Sequence, residues 1–323
     1  MDNSKVTSQV SNQALKREMG LLGVIAMGVG NTIGSGLFFI PQNLAAESTP
    51  LASLIAFAIS ALGCIIVAFS FANLSQKMPQ SGGTIVYVKK AEGSFAAFLV
   101  GWYNWFAGPS SIAGLVVGMV GYLSVFFPAL ITNNFAALIT CLALYWFIVL
   151  INIRGVKEAS AFNVITTIVK VVPIVLFVVI VALKFSPANL TTVNPVVVEG
   201  GKNQMATIPA GLAITMWCFM GFDTIAQSAG VIKDPEKNIK RGTILSILLV
   251  TAIYILVIFL AYGVMDQQAL AGTSAPFAEI LQYCTGTNIW SYVMAIFIME
   301  MCIRDRAENA GIKGLERSRG KSV

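Results

Sequence analysis

Long runs of apolar residues decide what this chain can fold into. A helix needs roughly 20 predominantly apolar residues to cross the hydrocarbon of a bilayer. Seven such runs occur, with an incomplete eighth, at about 21–44, 51–74, 94–127, 133–153, 159–185, 206–231, 243–264 and 289–301. The third is long enough to cross at a tilt. Of the 323 residues, 56% are hydrophobic and 11% charged, whereas ordinary soluble domains carry about 25% charged residues. A soluble chain of this length has too little interior to hide so much apolar side chain. The excess must face lipid, and the fold class is all-α integral membrane protein. Residues 1–20 read as an N-terminal tail, 21–301 as a membrane domain and 302–323 as a polar tail.

The basic residues give the orientation. With the amino terminus in the cytoplasm, inside segments hold Lys5, Lys16, Arg17, Lys77, Lys89, Lys90, Arg154, Lys157, Lys233, Lys237, Lys240 and Arg241, and outside segments only Lys184 and Lys202. Such a bias is the positive-inside signature. It predicts a multi-pass protein of the plasma membrane with a cytoplasmic amino terminus. It also accounts for the net charge of +6 without nucleic acid, since no face interleaves aromatic and basic residues as base stacking would need. The polar first 20 residues lead into a span without the short apolar core and small-residue cleavage site of a secretory leader.

Composition also excludes several chemistries. The chain has no histidine, which removes histidine-based catalysis and most catalytic zinc sites. Cys64, Cys141, Cys218, Cys284 and Cys302 lie far apart, with neither metal-ligand nor disulfide spacing. An enzyme is not expected, nor is a cofactor or a metal. The eighth run is stopped by Arg304-Asp305-Arg306, which reads as an extraneous end after Met301, with a short half-span and a polar tail as the alternative.

Three features do not suit a lipid-facing helix. The first span contains Gly30-Asn31-Thr32-Ile33-Gly34-Ser35-Gly36, followed by Pro41. Each glycine costs a helix about 1 kcal/mol relative to alanine, and Asn31, Thr32 and Ser35 offer the backbone other partners. The segment is either a break or a site of close helix packing through small residues. A break at membrane depth is tolerated only where it lines a cavity. The sixth span carries Trp217-Cys218-Phe219-Met220-Gly221-Phe222-Asp223-Thr224, with glycine and a carboxylate near its middle, and Lys170 is central in the fifth. A charge at mid-span costs about 2.5–3.5 kcal/mol on insertion scales, so both should face the bundle interior, as a structural ion pair or as coupling groups.

Interrupted first and sixth spans are the pattern of a transporter built from inverted repeats, with its site at the midplane. At these residues a resemblance becomes specific. Gly30 to Gly36 with Leu37-Phe38-Phe39-Ile40-Pro41-Gln42-Asn43-Leu44, the loop Pro79-Gln80-Ser81-Gly82-Gly83, Trp217 to Asp223, and Lys233-Asp234-Pro235-Glu236-Lys237-Asn238-Ile239 resemble, in order, the amino acid-polyamine-organocation superfamily. The likeness is greatest to its basic amino acid and polyamine antiporters and runs from about residue 15 to 300.

The resemblance implies a five-plus-five inverted-repeat fold, of which this chain would hold the first repeat and the start of the second. It implies substrate-binding residues Thr32, Ile33, Gly34, Ser35, Gly36, Trp217, Cys218 and Met220. Amides around Gly34, Ser35 and Gly36 would receive a carboxylate, as a helix amino terminus favours anions. Carbonyls near Thr32, Trp217 and Met220 would take the ammonium, and Trp217 would pack on the substrate's aliphatic part unless it simply fills the bundle. Asp223 matches a gating glutamate, one methylene shorter, and Lys170 resembles a fifth-span lysine that stands where sodium-coupled relatives bind their ion. The implied function is secondary transport of an amino acid, by exchange or with protons, with arginine, ornithine, lysine or a polyamine as substrate. A neutral amino acid permease is the runner-up, and from another class a structural membrane protein, which substrate-protected labelling of Cys218 would separate from a carrier. The implied partners are the bilayer, the substrate, protons and, as a candidate, a second copy of the chain.

Overall fold

The computed structural model describes residues 19–77, 83–154, 159–191, 203–221, Ile225 and 232–300. Among these the regular elements are helices, apart from one isolated parallel bridge between Met19 and Ile232. The first span is three pieces: α1 (Leu21–Thr32), a 3₁₀ turn (Ser35–Phe38) and α2 (Ile40–Glu47). Then follow α3 (Pro50–Lys77), α4 (Thr84–Leu123), α5 (Asn134–Arg154) and α6 (Ala159–Ala182). The sixth span opens with α7 (Ile208–Cys218), and the seventh is α8 (Pro235–Val264). Two short helices, α9 (Gln267–Ala271) and α10 (Pro276–Thr285), precede α11 (Ile289–Glu300).

Several boundaries differ from the sequence limits, each for a local reason. The third span is the longer arm of α4, which begins at Thr84 and turns a corner at Gly93, where φ is 87° and ψ is −176°. That conformation is open to glycine and costly to other residues. The same helix stops at Leu123 rather than 127, and the Ser124 hydroxyl donates to Gly121 O at 2.6 Å. α8 starts eight residues before the apolar run, at Pro235, because proline suits the first helical position and Glu236 to Arg241 are mostly good helix formers. α9 and α10 were not anticipated.

Pro50–Leu74, Thr84–Leu123 and Pro235–Val264 are each long and apolar enough to cross a bilayer. α4 and α5 leave Trp102, Trp105, Phe106, Phe135 and Trp146 exposed, an arrangement water would penalise and lipid accepts.

Two ends can be told apart. At the cap end, α9 and α10 fold back over α2, α6 and the end of α4. Gln267 Nε2 donates to Ala45 O at 2.9 Å and Ser48 O at 3.0 Å. Phe277 stacks on Phe177 with ring centroids 4.0 Å apart and meets the Phe38 edge at 4.8 Å. Glu279 accepts from the amides of Ser274 and Ala275 at 2.8 and 2.9 Å, closing the turn into α10. At the entry end, the chain reaches α1 and α8 side by side, with Lys233 N donating to Met19 O at 2.9 Å. Here packing is close rather than layered: a Cβ on Gly242 would run into Val24, and one on Gly28 into Ser246 and Ile225. Between the two ends α8 packs along both α1 and α3, and α3 along α7.

Candidate functional site

The Gly30–Gly36 segment is a break. α1 ends at Thr32; Ile33, at φ −75° and ψ 82°, has left the helix, and Gly34 is extended at φ −94° and ψ −176°. The chain resumes as the 3₁₀ turn, in which Leu37 N donates to Gly34 O at 3.2 Å and Phe39 N to Gly36 O at 3.0 Å. The amides of Ser35 and Gly36 open this turn, where a helix has donors to spare. Gly34 N points the other way and donates to Thr32 O at 2.9 Å.

The sixth span also stops being helical where glycine and polar residues accumulate. α7 ends at Cys218, Met220 N donates to Trp217 O at 3.2 Å, and Gly221 takes φ 110°. Its left-handed φ lets the chain pass against the other break: a Cβ here would lie 2.8 Å from Asn31 O. One turn earlier, the Trp217 indole stands on Gly36, where an added Cβ would meet the ring at 3.0 and 3.1 Å. The two interrupted spans therefore meet at two points.

Most of the residues singled out in the sequence come together here. Thr32, Ile33 and Cys218 are buried, Gly34 and Gly36 half-buried, and Trp217 and Met220 exposed by 43% and 60%. The Cys218 thiol turns back to donate to Ile214 O at 3.1 Å, so its carbonyl is what this residue turns toward the other break, and the buried sulfur is a poor target for labelling. The backbone of Lys170 belongs to α6, and its side chain lies outside the described residues, as do Asp223 and the side chain of Ser35.

One residue at the junction was missed. Tyr254 of α8 donates its hydroxyl to Thr32 O at 2.9 Å and lies 3.3 Å from Cys218 O, touching the last residues of both half-helices. Its ring is fully buried beside Phe57 and Phe219, with centroids 5.6 and 6.1 Å away. A phenol inside an apolar span signals this much: its O–H has to find an acceptor there. The same holds for Tyr122, whose hydroxyl donates to Phe38 O at 2.8 Å and accepts from Phe277 N at 3.3 Å. Among the described residues no group of histidine, cysteine, aspartate and glutamate could hold a metal ion.

Apolar helices of membrane-spanning length, with a break in the first span packed against the end of α7, define a multi-pass membrane protein. The comparisons with known proteins agree. The family model described as amino acid permease matches residues 19–303, and the chain belongs to that family. It is 32% identical to the arginine/ornithine antiporter of Latilactobacillus sakei, over 84% of this chain and 58% of that protein. It is 31% identical to the arginine/ornithine antiporter of Pseudomonas aeruginosa, over 86% and 58%, and 26% identical to the branched-chain amino acid permease BcaP of Bacillus subtilis, over 86% and 61%. The chain thus spans 58–61% of the length of these relatives. They are named as antiporters and permeases, none as an enzyme.

Proposed function

We propose that this protein is a secondary amino acid transporter that exchanges basic amino acids across the plasma membrane by alternating access, with its amino terminus in the cytoplasm. The carrying observation is the junction of the two breaks. The amides of Ser35 and Gly36 that open the 3₁₀ turn suit a carboxylate, and carbonyls near Thr32, Trp217 and Met220 suit an α-ammonium. An amino acid carries both groups on one carbon, so a site of this kind reads the backbone common to all amino acids and leaves the side chain to other spans. Two relatives named as arginine/ornithine antiporters support a basic side chain. A neutral substrate is the second reading, favoured by the branched-chain permease relative. Polyamines fit less well, since they lack the carboxylate that the amides would bind.

In this reading the sixth and first spans head the two halves of a five-plus-five inverted repeat. Lys170 serves as a fixed cation beside the first span, and Asp223 ties gate closure to its own protonation. Purified full-length protein in liposomes loaded with L-ornithine should take up labelled L-arginine, and unloaded liposomes should not. Asp223→Asn should flatten the pH dependence of that exchange, and Lys170→Ala should slow it more severely. Uptake of labelled L-leucine but not L-arginine would move the assignment to the neutral permeases, and no uptake of either would end it.

A further inference from the structure

We propose that the Tyr254 hydroxyl stands in for the substrate's α-ammonium, occupying the Thr32 carbonyl until an amino acid displaces it. The inference rests on the functional reading above and adds a residue to it. A carbonyl oxygen has two lone pairs, and Thr32 O is already given two donors, Gly34 N at 2.9 Å and Tyr254 Oη at 2.9 Å. A third donor has to displace one of them. Gly34 N is fixed by the backbone two residues on. The tyrosine hydroxyl has an alternative acceptor within reach, Cys218 O at 3.3 Å, so it can rotate away without being left unbonded.

The arrangement has a physical purpose. A carbonyl released from a helix at membrane depth costs free energy when it has no partner. A carrier that must pass through an empty state needs a donor there that is strong enough to satisfy the oxygen and weak enough to give way. A neutral phenol meets both demands, because a charge-assisted bond from an ammonium is roughly twice as strong as a neutral one. The exchange conserves hydrogen bonds: Thr32 O keeps two donors, and the phenol moves from one carbonyl to the next.

The test is Tyr254→Phe in the full-length protein. The ring keeps its packing against Phe57 and Phe219, and the hydroxyl that competes for Thr32 O is removed. L-arginine should bind about fivefold more tightly, the worth of one net neutral hydrogen bond. The des-amino analogue δ-guanidinovalerate, which has no ammonium to compete for Thr32 O, should bind with unchanged affinity. Ser246→Ala is the control: it removes another α8 hydroxyl that reaches α1, donating to Ile25 O at 3.2 Å, away from the carbonyl in question, and should leave both affinities alone. Unchanged or weaker arginine binding in Tyr254→Phe, or an equal gain for the analogue or in Ser246→Ala, overturns the proposal and leaves the amino acid site standing. Failure of the parent protein to bind any amino acid overturns both.

Discussion

The two ends of the bundle are held together differently. At the entry end, α1 and α8 form a seam in which glycines let two helices nearly touch, with Ala72 of α3 and Ile225 packed beside it. At the cap end, closure is spread over α2, α4, α6, α9 and α10 through stacked rings and side-chain hydrogen bonds to backbone. A seam of small residues behaves as one rigid unit because there is little side chain to rearrange. A distributed cap can be released piece by piece, as each bond is separate.

The largest expected effect is on the seam. Gly28→Val places side-chain atoms where Ser246 and Ile225 already sit, with Ile225 Cδ1 2.7 Å from even the first added carbon. Overpacking of this kind costs about 1–3 kcal/mol, and thermal unfolding of the purified protein should shift down. An unshifted melt would mean that the seam is looser than described and the contrast false. Tyr122→Phe should cost somewhat less in global stability, about 1–2 kcal/mol for a buried carbonyl and amide losing their shared partner. Its distinguishing sign is local: amide hydrogen exchange should rise over residues 267–285 and stay unchanged in α1 and α8. Equal acceleration at both ends would show that they are coupled. Ser60→Ala should matter least, since Ser60 Oγ and Thr215 Oγ1 are 2.8 Å apart but Thr215 also donates to Gly211 O at 2.9 Å. Interhelical bonds of this type average about 0.6 kcal/mol in a membrane protein, so a larger drop in the melt would place α3 and α7 in the seam class rather than between the two.

The breaks were legible in the sequence because glycines and small polar residues crowd into runs that are otherwise apolar, and helix propensity and hydrocarbon both oppose that composition. The meeting of the breaks was not legible, since no periodicity fixes how Gly36 finds Trp217 or Gly221 finds Asn31 from nearly 200 residues away. Tyr254 was hidden for the opposite reason. Among Ile253, Ile255 and Leu256 an aromatic reads as bundle filler, and only the position of its hydroxyl gives it a role. The cap escaped because Gly272, Thr273 and Ser274 divide residues 267–285 into pieces too short to count as spans. Their burial comes from tertiary contact with Phe38 and Phe177, which sequence pattern does not encode.

The corner at Gly93 constrains the chain in a way that no neighbour enforces. An added Cβ there would meet nothing within 4 Å, yet the φ of 87° is one that side chains rarely adopt. The constraint comes from the backbone itself rather than from any packing partner. A side chain at this position would burden the fold. Its consequence would fall on how many copies of the protein reach and persist in the membrane, with each surviving copy working at its ordinary rate.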